Sequence, residues 1–201
     1  MEINAALVKQ LRDRTGAPLM NCKQALAESN GDLSQAEVYL RKKGVAAAAK
    51  KAGRSASEGS IGAYIHAGGK IGVLVEVACE TDFVARTPEF QALVHDVAMH
   101  VAAAAPRFLT REHVPTEVLE QERDIYRAQA SSSGKPASVL DKIVEGKLAK
   151  FYEETCLLDQ RFIKDDKQSI GELVAGKIAQ FGENVAIRRF VRYKVGEEGV
   201  S

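Results

Sequence analysis

The chain has 201 residues, of which 45% are hydrophobic and 27% are charged, and its formal net charge is +1. This composition is typical of one or two globular domains, at about 150 residues per domain, and it counts against a strongly basic nucleic-acid binder. Apolar runs such as VAAAA and IGVLVEVA are far shorter than the roughly 18 residues of a membrane span. The N-terminus lacks the basic start and apolar core of a signal peptide, so we expect a cytoplasmic protein without membrane contact.

The residues that usually carry chemistry form no recognisable site. Cys22, Cys79 and Cys156 are odd in number and widely spaced, which argues against a disulfide framework and against a zinc site. His95 and His100 are five positions apart, so they do not share a helix face as metal ligands would, and we expect His100 at a helix surface or core edge. We therefore predict no catalytic residues, no metal and no cofactor, and hence no enzyme.

Charge divides the chain into two parts. Residues 1–54 carry a net charge of +5 and the remainder a net charge of −4, which suggests two modules. Within the first part, Lys50, Lys51 and Arg54 form either a nucleic-acid patch or the solvated face of a linker. The solvated face is favoured, because no aromatic residues alternate with the basic ones.

The first 43 residues predict three short helices. Gly16 is typical of a helix end and Pro18 of a helix start, and Asn30-Gly31 ends the second helix. Asp32, followed three residues later by Gln35, resembles a capping box that opens the third helix. After Gly44 an alanine-rich stretch predicts a basic helical link that ends near residues 55–60.

From residue 61 the apolar period changes to that of strands. IGAYIH and KIGVLVEVA, joined by AGG, predict a β-hairpin with Leu74 in its core. A helix follows at 88–105 and ends at Pro106. The alternating segment NVAIRRFVRYKV predicts a third strand, which completes a small antiparallel sheet.

Three more helical segments lie between the second and third strands. TEVLEQERDIYRAQA and SVLDKIVEGKLAKFYEET flank the turn SSSGKP at 131–136, which predicts an antiparallel helical hairpin. Periodicity alone leaves open whether the hairpin is a short coiled coil or two core-packed helices. SIGELVAGKIAQFGENV predicts the last helix, so the fold class is α+β.

The segment VACETDFVARTPEF at 77–90 places an aromatic residue, Phe83, in a short polar connection between a strand and a helix. From the residues alone, Phe83 either folds under its own loop or faces a partner.

Several long motifs occur together and in order. They are LRDRTGAPLMNCKQAL (11–26), KKAG (50–53), GKIGVLVEVACETDFVAR (69–86), DVAMHVAAAAPRFL (96–109), SGKP (133–136), VEGKLAKF (144–151) and GENVAIRRFVRYKVG (182–196). With these motifs, essentially the whole chain resembles the compact form of bacterial elongation factor Ts. That family promotes GDP release from elongation factor Tu in translation elongation.

The resemblance implies an organisation for the chain. Residues 1–54 would form a three-helix domain like the ubiquitin-associated (UBA) domain, followed by the basic helical linker. Residues 55–201 would form the family's core and dimerisation domain, a small antiparallel sheet packed with helices, carrying a coiled-coil hairpin near 114–158. Longer members carry a second copy of half of the core, so the compact form implies a homodimer and a 2:2 complex with the GTPase.

The resemblance also implies partner-binding residues. The segment with which the family disturbs the Mg²⁺ site of the GTPase matches Thr81, Asp82, Phe83 and Val84, with Phe83 entering an apolar crevice. In the N-terminal module the implied contact positions are Arg12, Leu19 and Met20, with a leucine at 19 where many relatives have methionine. The alternatives are an RNA-binding protein or a ubiquitin-like-binding adaptor that uses the basic N-terminal helices, whereas the family reading implies no direct nucleic-acid contact.

Overall fold

The computed structural model of the chain describes residues 4–131 and 136–197. Helices predominate over two small sheets, which confirms the α+β class. The helices are α1 (Ala5–Thr15), α2 (Leu19–Glu28), α3 (Leu33–Lys51), α4 (Asp82–Ala85), α5 (Pro88–Ala104), α6 (Thr116–Ser131), α7 (Ala137–Thr155) and α8 (Ile170–Phe181). The strands are β1 (Glu58–Ile65), β2 (Ile71–Cys79), β3 (Arg161–Phe162), β4 (Asp165–Ser169) and β5 (Val185–Lys194). The turn predicted at 131–136 lies largely outside the described residues, at 132–135.

The larger sheet consists of the three predicted strands, in the order β1-β2-β5. The His66 N–H donates to the Ile71 carbonyl (2.9 Å) and closes the hairpin, while the Val195 N–H donates to the Lys70 carbonyl (2.9 Å). A second sheet, which was not predicted, is a two-stranded ribbon in which β3 pairs antiparallel with β4 around an irregularity. A two-residue strand carries too little period to be recognised.

The chain divides into two compact units. Unit 1 comprises Met1–Ala63, Val75–Asp96 and Gly171–Arg189. Unit 2 comprises Tyr64–Leu74, Val97–Ile170 and Phe190–Ser201.

In unit 1, helices α1 to α3 pack around a small apolar cluster. Its buried members are Val8, Leu11, Cys22, Ala25, Leu26 and Ala36. Gly16 ends α1 in the left-handed region (φ +65°), and its N–H donates to the Arg12 carbonyl (2.8 Å). Asp32 caps α3 by accepting from the Gln35 N–H (2.8 Å). Both predicted helix boundaries are therefore confirmed.

Helix α3 continues through Gly44 without a break and ends at Lys51, so the predicted link is part of the third helix. A Cβ added at Gly44 would lie 3.5 Å from the Ala175 carbonyl oxygen of α8, and one added at Gly16 would lie 3.1 Å from the Gln180 amide oxygen. The three-helix cluster thus rests against α8 within unit 1.

In unit 2, α6 and α7 lie side by side and antiparallel. The Lys147 ammonium donates to the Gln129 side chain (2.5 Å) and lies 5.4 Å from the Tyr126 ring centroid. Arg123 pairs with Glu145 at 3.7 Å. At the base of the pair, a buried cluster contains Val114, Phe151 and Cys156.

His100 is fully buried in unit 2, so the expectation that it lies at a helix surface or core edge is wrong. Its Nε2 lies 2.9 Å from the Gln160 Oε1, and its Nδ1 faces the Ile163 N–H at 3.4 Å. Burial lowers the pKa of the imidazole, with the Gln160 hydrogen bond acting in the opposite direction.

The prediction that Leu74 lies in the core is also wrong, because 47% of it is exposed while its neighbours Val73 and Val75 are buried. Successive side chains of a strand face opposite sides, so an unbroken apolar run does not prove that both faces are covered. In unit 2, Tyr193 and Val195 are exposed as well.

Candidate functional site

The segment between β2 and α5 is a single helical turn rather than an irregular loop. Strand β2 ends at Cys79, and α4 occupies Asp82–Ala85. Thr81 caps this turn with its hydroxyl, which accepts from the Val84 N–H at 3.4 Å. A threonine in this position satisfies one of the N–H groups that a helix start leaves unpaired.

Phe83 projects from this turn into solvent. It is 81% exposed, the largest value among the exposed large hydrophobic side chains of the described residues. Ala85, two positions later, is buried. The side chains of Asp82 and Arg86 form an ion pair at 2.9 Å across the turn. Of the two readings of Phe83, the one in which it folds under its own loop is therefore wrong.

The C-terminal side of the turn is fixed to α5. The Thr87 hydroxyl donates to the Val84 carbonyl (2.8 Å) and accepts from the Phe90 N–H (3.2 Å). The Gln91 amide donates to the Ala85 carbonyl (2.7 Å). Because Phe90 is fully buried, these contacts tie the turn to the core of unit 1.

The N-terminal side of the turn is fixed to the corner between α8 and β5. The Glu183 carboxylate accepts from the Thr81 hydroxyl (2.7 Å) and from the Thr81 N–H (3.1 Å). In return, the Glu80 carboxylate accepts from the Asn184 N–H (2.6 Å). We call these four residues, Glu80, Thr81, Glu183 and Asn184, the carboxylate clamp. Glu183 was not predicted as a site residue, although it lies in the motif GENVAIRRFVRYKVG at 182–196.

Cys79 lies beneath the turn. It is fully buried, and its Sγ donates to the Thr81 carbonyl at 3.1 Å. Burial raises the pKa of the thiol, and the negative charge of Glu183 raises it further. Cys79 is thus a neutral, buried thiol that packs under the site.

The N-terminal positions singled out in the sequence lie on α1 and α2. Leu19 and Met20 occupy the first turn of α2 and are 52% and 71% exposed. Arg12 is an exposed residue of α1, and its charge lowers the pKa of Cys22, although burial of that thiol has the larger, opposite effect. These positions belong to unit 1, as does the α4 turn.

The structure also bears on metal sites and membrane spans. Within residues 4–131 and 136–197, no group of three or more His, Cys, Asp and Glu side chains is placed to hold a metal ion. None of the helices in the described part of the chain has the length and apolar content needed to cross a membrane.

Known proteins resemble this chain over nearly its whole length. The family model described as Elongation factor TS matches residues 41–198. A protein named Elongation factor Ts from Koribacter versatilis is 61% identical over 199 residues, covering 99% of this chain and 91% of that protein. Proteins of the same name from Solibacter usitatus (58% identical, covering 98% and 92%) and Moorella thermoacetica (59%, covering 97% and 96%) are similar to the same extent.

Proposed function

This chain belongs to the elongation factor Ts family, and we propose that it exchanges guanine nucleotide on elongation factor Tu through Phe83 of the α4 turn. The observation that carries this proposal is an aromatic side chain, 81% exposed, on a turn fixed at both ends. Its role is to bind a GTPase and promote GDP release during translation elongation. No bond is made or broken, so the chain acts as an exchange factor rather than as an enzyme.

The mechanism follows from how a GTPase holds its nucleotide. The phosphates and the Mg²⁺ that neutralises them provide most of the binding. A partner that binds the nucleotide-free state more tightly than the loaded state weakens nucleotide binding by the same factor. Phe83 enters an apolar crevice of the GTPase that is open in the nucleotide-free state, while Thr81, Asp82 and Val84 flank it against the Mg²⁺ and phosphate site.

The size of the effect can be bounded from the burial of one side chain. Covering a phenylalanine contributes about 1.5–3 kcal/mol. If this contact exists only in the open state, it weakens nucleotide binding about tenfold to hundredfold. A larger acceleration requires a second contact.

The N-terminal module supplies that second contact. Leu19 and Met20 present apolar surface at the start of α2, and Arg12 adds an exposed positive charge on α1. Together they dock on the GTPase and hold the α4 turn at its target. The net charge of +5 over residues 1–54 favours approach to an acidic surface.

The same proposal includes the finer features of the fold. Residues 1–54 form a UBA-like domain, which consists of the α1–α3 cluster and its basic helical extension. Residues 55–201 form the core domain. The antiparallel α6–α7 pair, within 114–158, is a short coiled coil. The Gln129–Lys147 and Arg123–Glu145 contacts along the pair support this assignment.

We further propose a homodimer, which gives a 2:2 complex with the GTPase. In unit 2, Leu74 of β2 and Val191 and Tyr193 of β5 are exposed by 47%, 37% and 70%. Two copies that pair these apolar surfaces would cover them. The protein is expected in the cytoplasm and makes no direct contact with nucleic acid or membrane.

The test is the release of a fluorescent GDP from elongation factor Tu. Wild type is expected to accelerate release, and Phe83→Ala is expected to lose tenfold or more of that acceleration, at the lower bound of about 1.5 kcal/mol. Val45→Ala truncates another exposed apolar residue of unit 1 and serves as the matched control. No acceleration by wild type contradicts the exchange role, and full activity of Phe83→Ala contradicts the role of that residue.

The adaptor functions make different predictions. An RNA-binding protein would retain RNA with an affinity that falls steeply with salt. A ubiquitin-like-binding adaptor would bind through residues 1–54 alone and would leave the α4 turn without a role.

A further inference from the structure

We propose that Glu183 is a positioning residue for nucleotide exchange, which holds Phe83 in the orientation that the GTPase meets. The inference rests on the proposed function and adds to it a residue that acts on the α4 turn through Thr81. Glu183 is 102 residues away from Thr81 in sequence and contacts it with both carboxylate oxygens.

The first step concerns the proton of the Thr81 hydroxyl. A hydroxyl has one donor and two acceptor lone pairs. Because that donor is directed at the Glu183 carboxylate (2.7 Å), a lone pair is left for the Val84 N–H that α4 must satisfy. Glu183 therefore sets the direction of the cap, and hydrogen bonds linked in this way strengthen one another.

The second step concerns the backbone. The Thr81 N–H lies beyond the last residue of β2 and needs an acceptor outside the strand, which Glu183 supplies at 3.1 Å. Hydrogen bonds to an ionised carboxylate are about twice as strong as neutral ones. The N–H and the hydroxyl of Thr81 thus both donate to the Glu183 side chain.

The third step is that Glu183 is itself held. The next residue, Asn184, is buried; its N–H donates to Glu80 (2.6 Å) and its side-chain amide donates to the Arg54 carbonyl (2.8 Å). Arg54 also pairs with the Glu80 carboxylate at 3.6 Å. The carboxylate clamp is therefore reciprocal: Glu183 binds Thr81, and Glu80, the residue that follows β2, binds the Asn184 N–H.

A four-residue helix has no stability of its own, because the first turn of a helix is its costly nucleus. Without Glu183 the α4 turn would populate other conformations, and only a fraction of molecules would present Phe83 correctly. The apparent strength of the Phe83 contact falls by that fraction. Since this contact forms only in the open state, kcat and kcat/KM fall together while KM is unchanged.

The experiment measures fluorescent GDP release across a range of exchange-factor concentrations. Glu183→Ala removes both carboxylate acceptors of Thr81. We expect it to lower the maximal rate of GDP release about tenfold, the size of effect that follows from losing a hydrogen bond to a charged group. Glu183→Gln keeps one acceptor, so its rate of GDP release is expected to lie between those of Glu183→Ala and wild type. This second variant keeps the test usable if Glu183→Ala does not fold. Glu145→Ala removes an exposed, ion-paired glutamate as the control.

The deciding comparison is made in the Phe83→Ala background. If Glu183 acts mainly through Phe83, adding Glu183→Gln to Phe83→Ala costs clearly less than it does in wild type, and the two effects are non-additive. Equal losses in both backgrounds would assign Glu183 a merely structural role and overturn the inference, as would a Glu183→Gln variant with the wild-type rate. Failure of wild type itself to accelerate release rejects the proposed function instead.

Discussion

The buried pair of His100 and Gln160 makes the stability of the protein depend on pH in a defined direction. The Gln160 Nε2 donates to the Glu154 carbonyl (2.8 Å), so its Oε1 faces His100 and accepts from the Nε2–H. The His100 Nδ1 is then the acceptor for the Ile163 N–H. This arrangement requires the neutral imidazole, because a proton on Nδ1 would meet another donor.

Burial lowers the folded-state pKa of His100 below its ordinary value near 6.5, so the unfolded chain binds the proton more readily. The contribution of the neutral imidazole to stability is therefore fully present above the pKa that His100 has in the unfolded chain. It decreases as the pH falls below that pKa, until the pKa of His100 in the folded protein is reached. For one proton the slope is at most about 1.4 kcal/mol per pH unit, so the loss of unfolding free energy between pH 6.5 and 5 stays below about 2 kcal/mol.

Urea unfolding at a series of pH values between about 5 and 7 measures this slope. His100→Gln retains a donor and an acceptor but takes up no proton. We expect it to be less stable near pH 7, and we expect the slope of its unfolding free energy against pH to be reduced by the contribution of one proton. His66→Gln, at an exposed histidine, is the matched control. Equal slopes for wild type and His100→Gln would refute the assignment of the effect to this pair.

Three further substitutions test separate parts of the structure. Gly16→Ala places a residue with a Cβ at φ +65°, and we expect it to lower the free energy of unfolding by about 1–2 kcal/mol. The control Gly146→Ala lies within α7 with open space around it and should be neutral or stabilising. Met20→Ala should weaken binding to elongation factor Tu severalfold without changing Tm, because the side chain is 71% exposed; unchanged affinity would remove it from the docking surface. Leu74→Glu should shift sedimentation from dimer to monomer, and a concentration-independent monomer in wild type would contradict the dimer.

Local signals predicted the long helices and the three strands of the larger sheet, but not α4, β3 or β4. The Asp32 cap and the Gly16 helix end rest on hydrogen bonds within a few residues, which a sequence displays directly. The apolar face of α5 and the hairpin follow from their periods in the same way.

Contacts between distant segments account for what the sequence did not reveal. The α4 turn is bound through Thr81 to Glu183, which lies 102 positions away, so a local stretch of sequence does not display all of the turn's contacts. The buried state of His100 depends on Gln160, 60 positions away. For Leu74, the apolar run predicted burial on both faces of β2, although its side chain is 47% exposed. The roles of the predicted partner-binding residues stay predictions, since they concern a second protein.

The unbroken course of α3 has a thermodynamic consequence for partner binding. This helix leads from the three-helix cluster to Lys51, and the Arg54 carbonyl three residues later is bound by Asn184. The short segment between α3 and β1 is thus anchored to the corner that also holds the turn carrying Phe83. In the proposed complex, once either the surface around Met20 or the turn carrying Phe83 was bound, the other would meet its target at an effective concentration set by the geometry of unit 1 rather than by linker length, and the loss of translational freedom would be incurred only once.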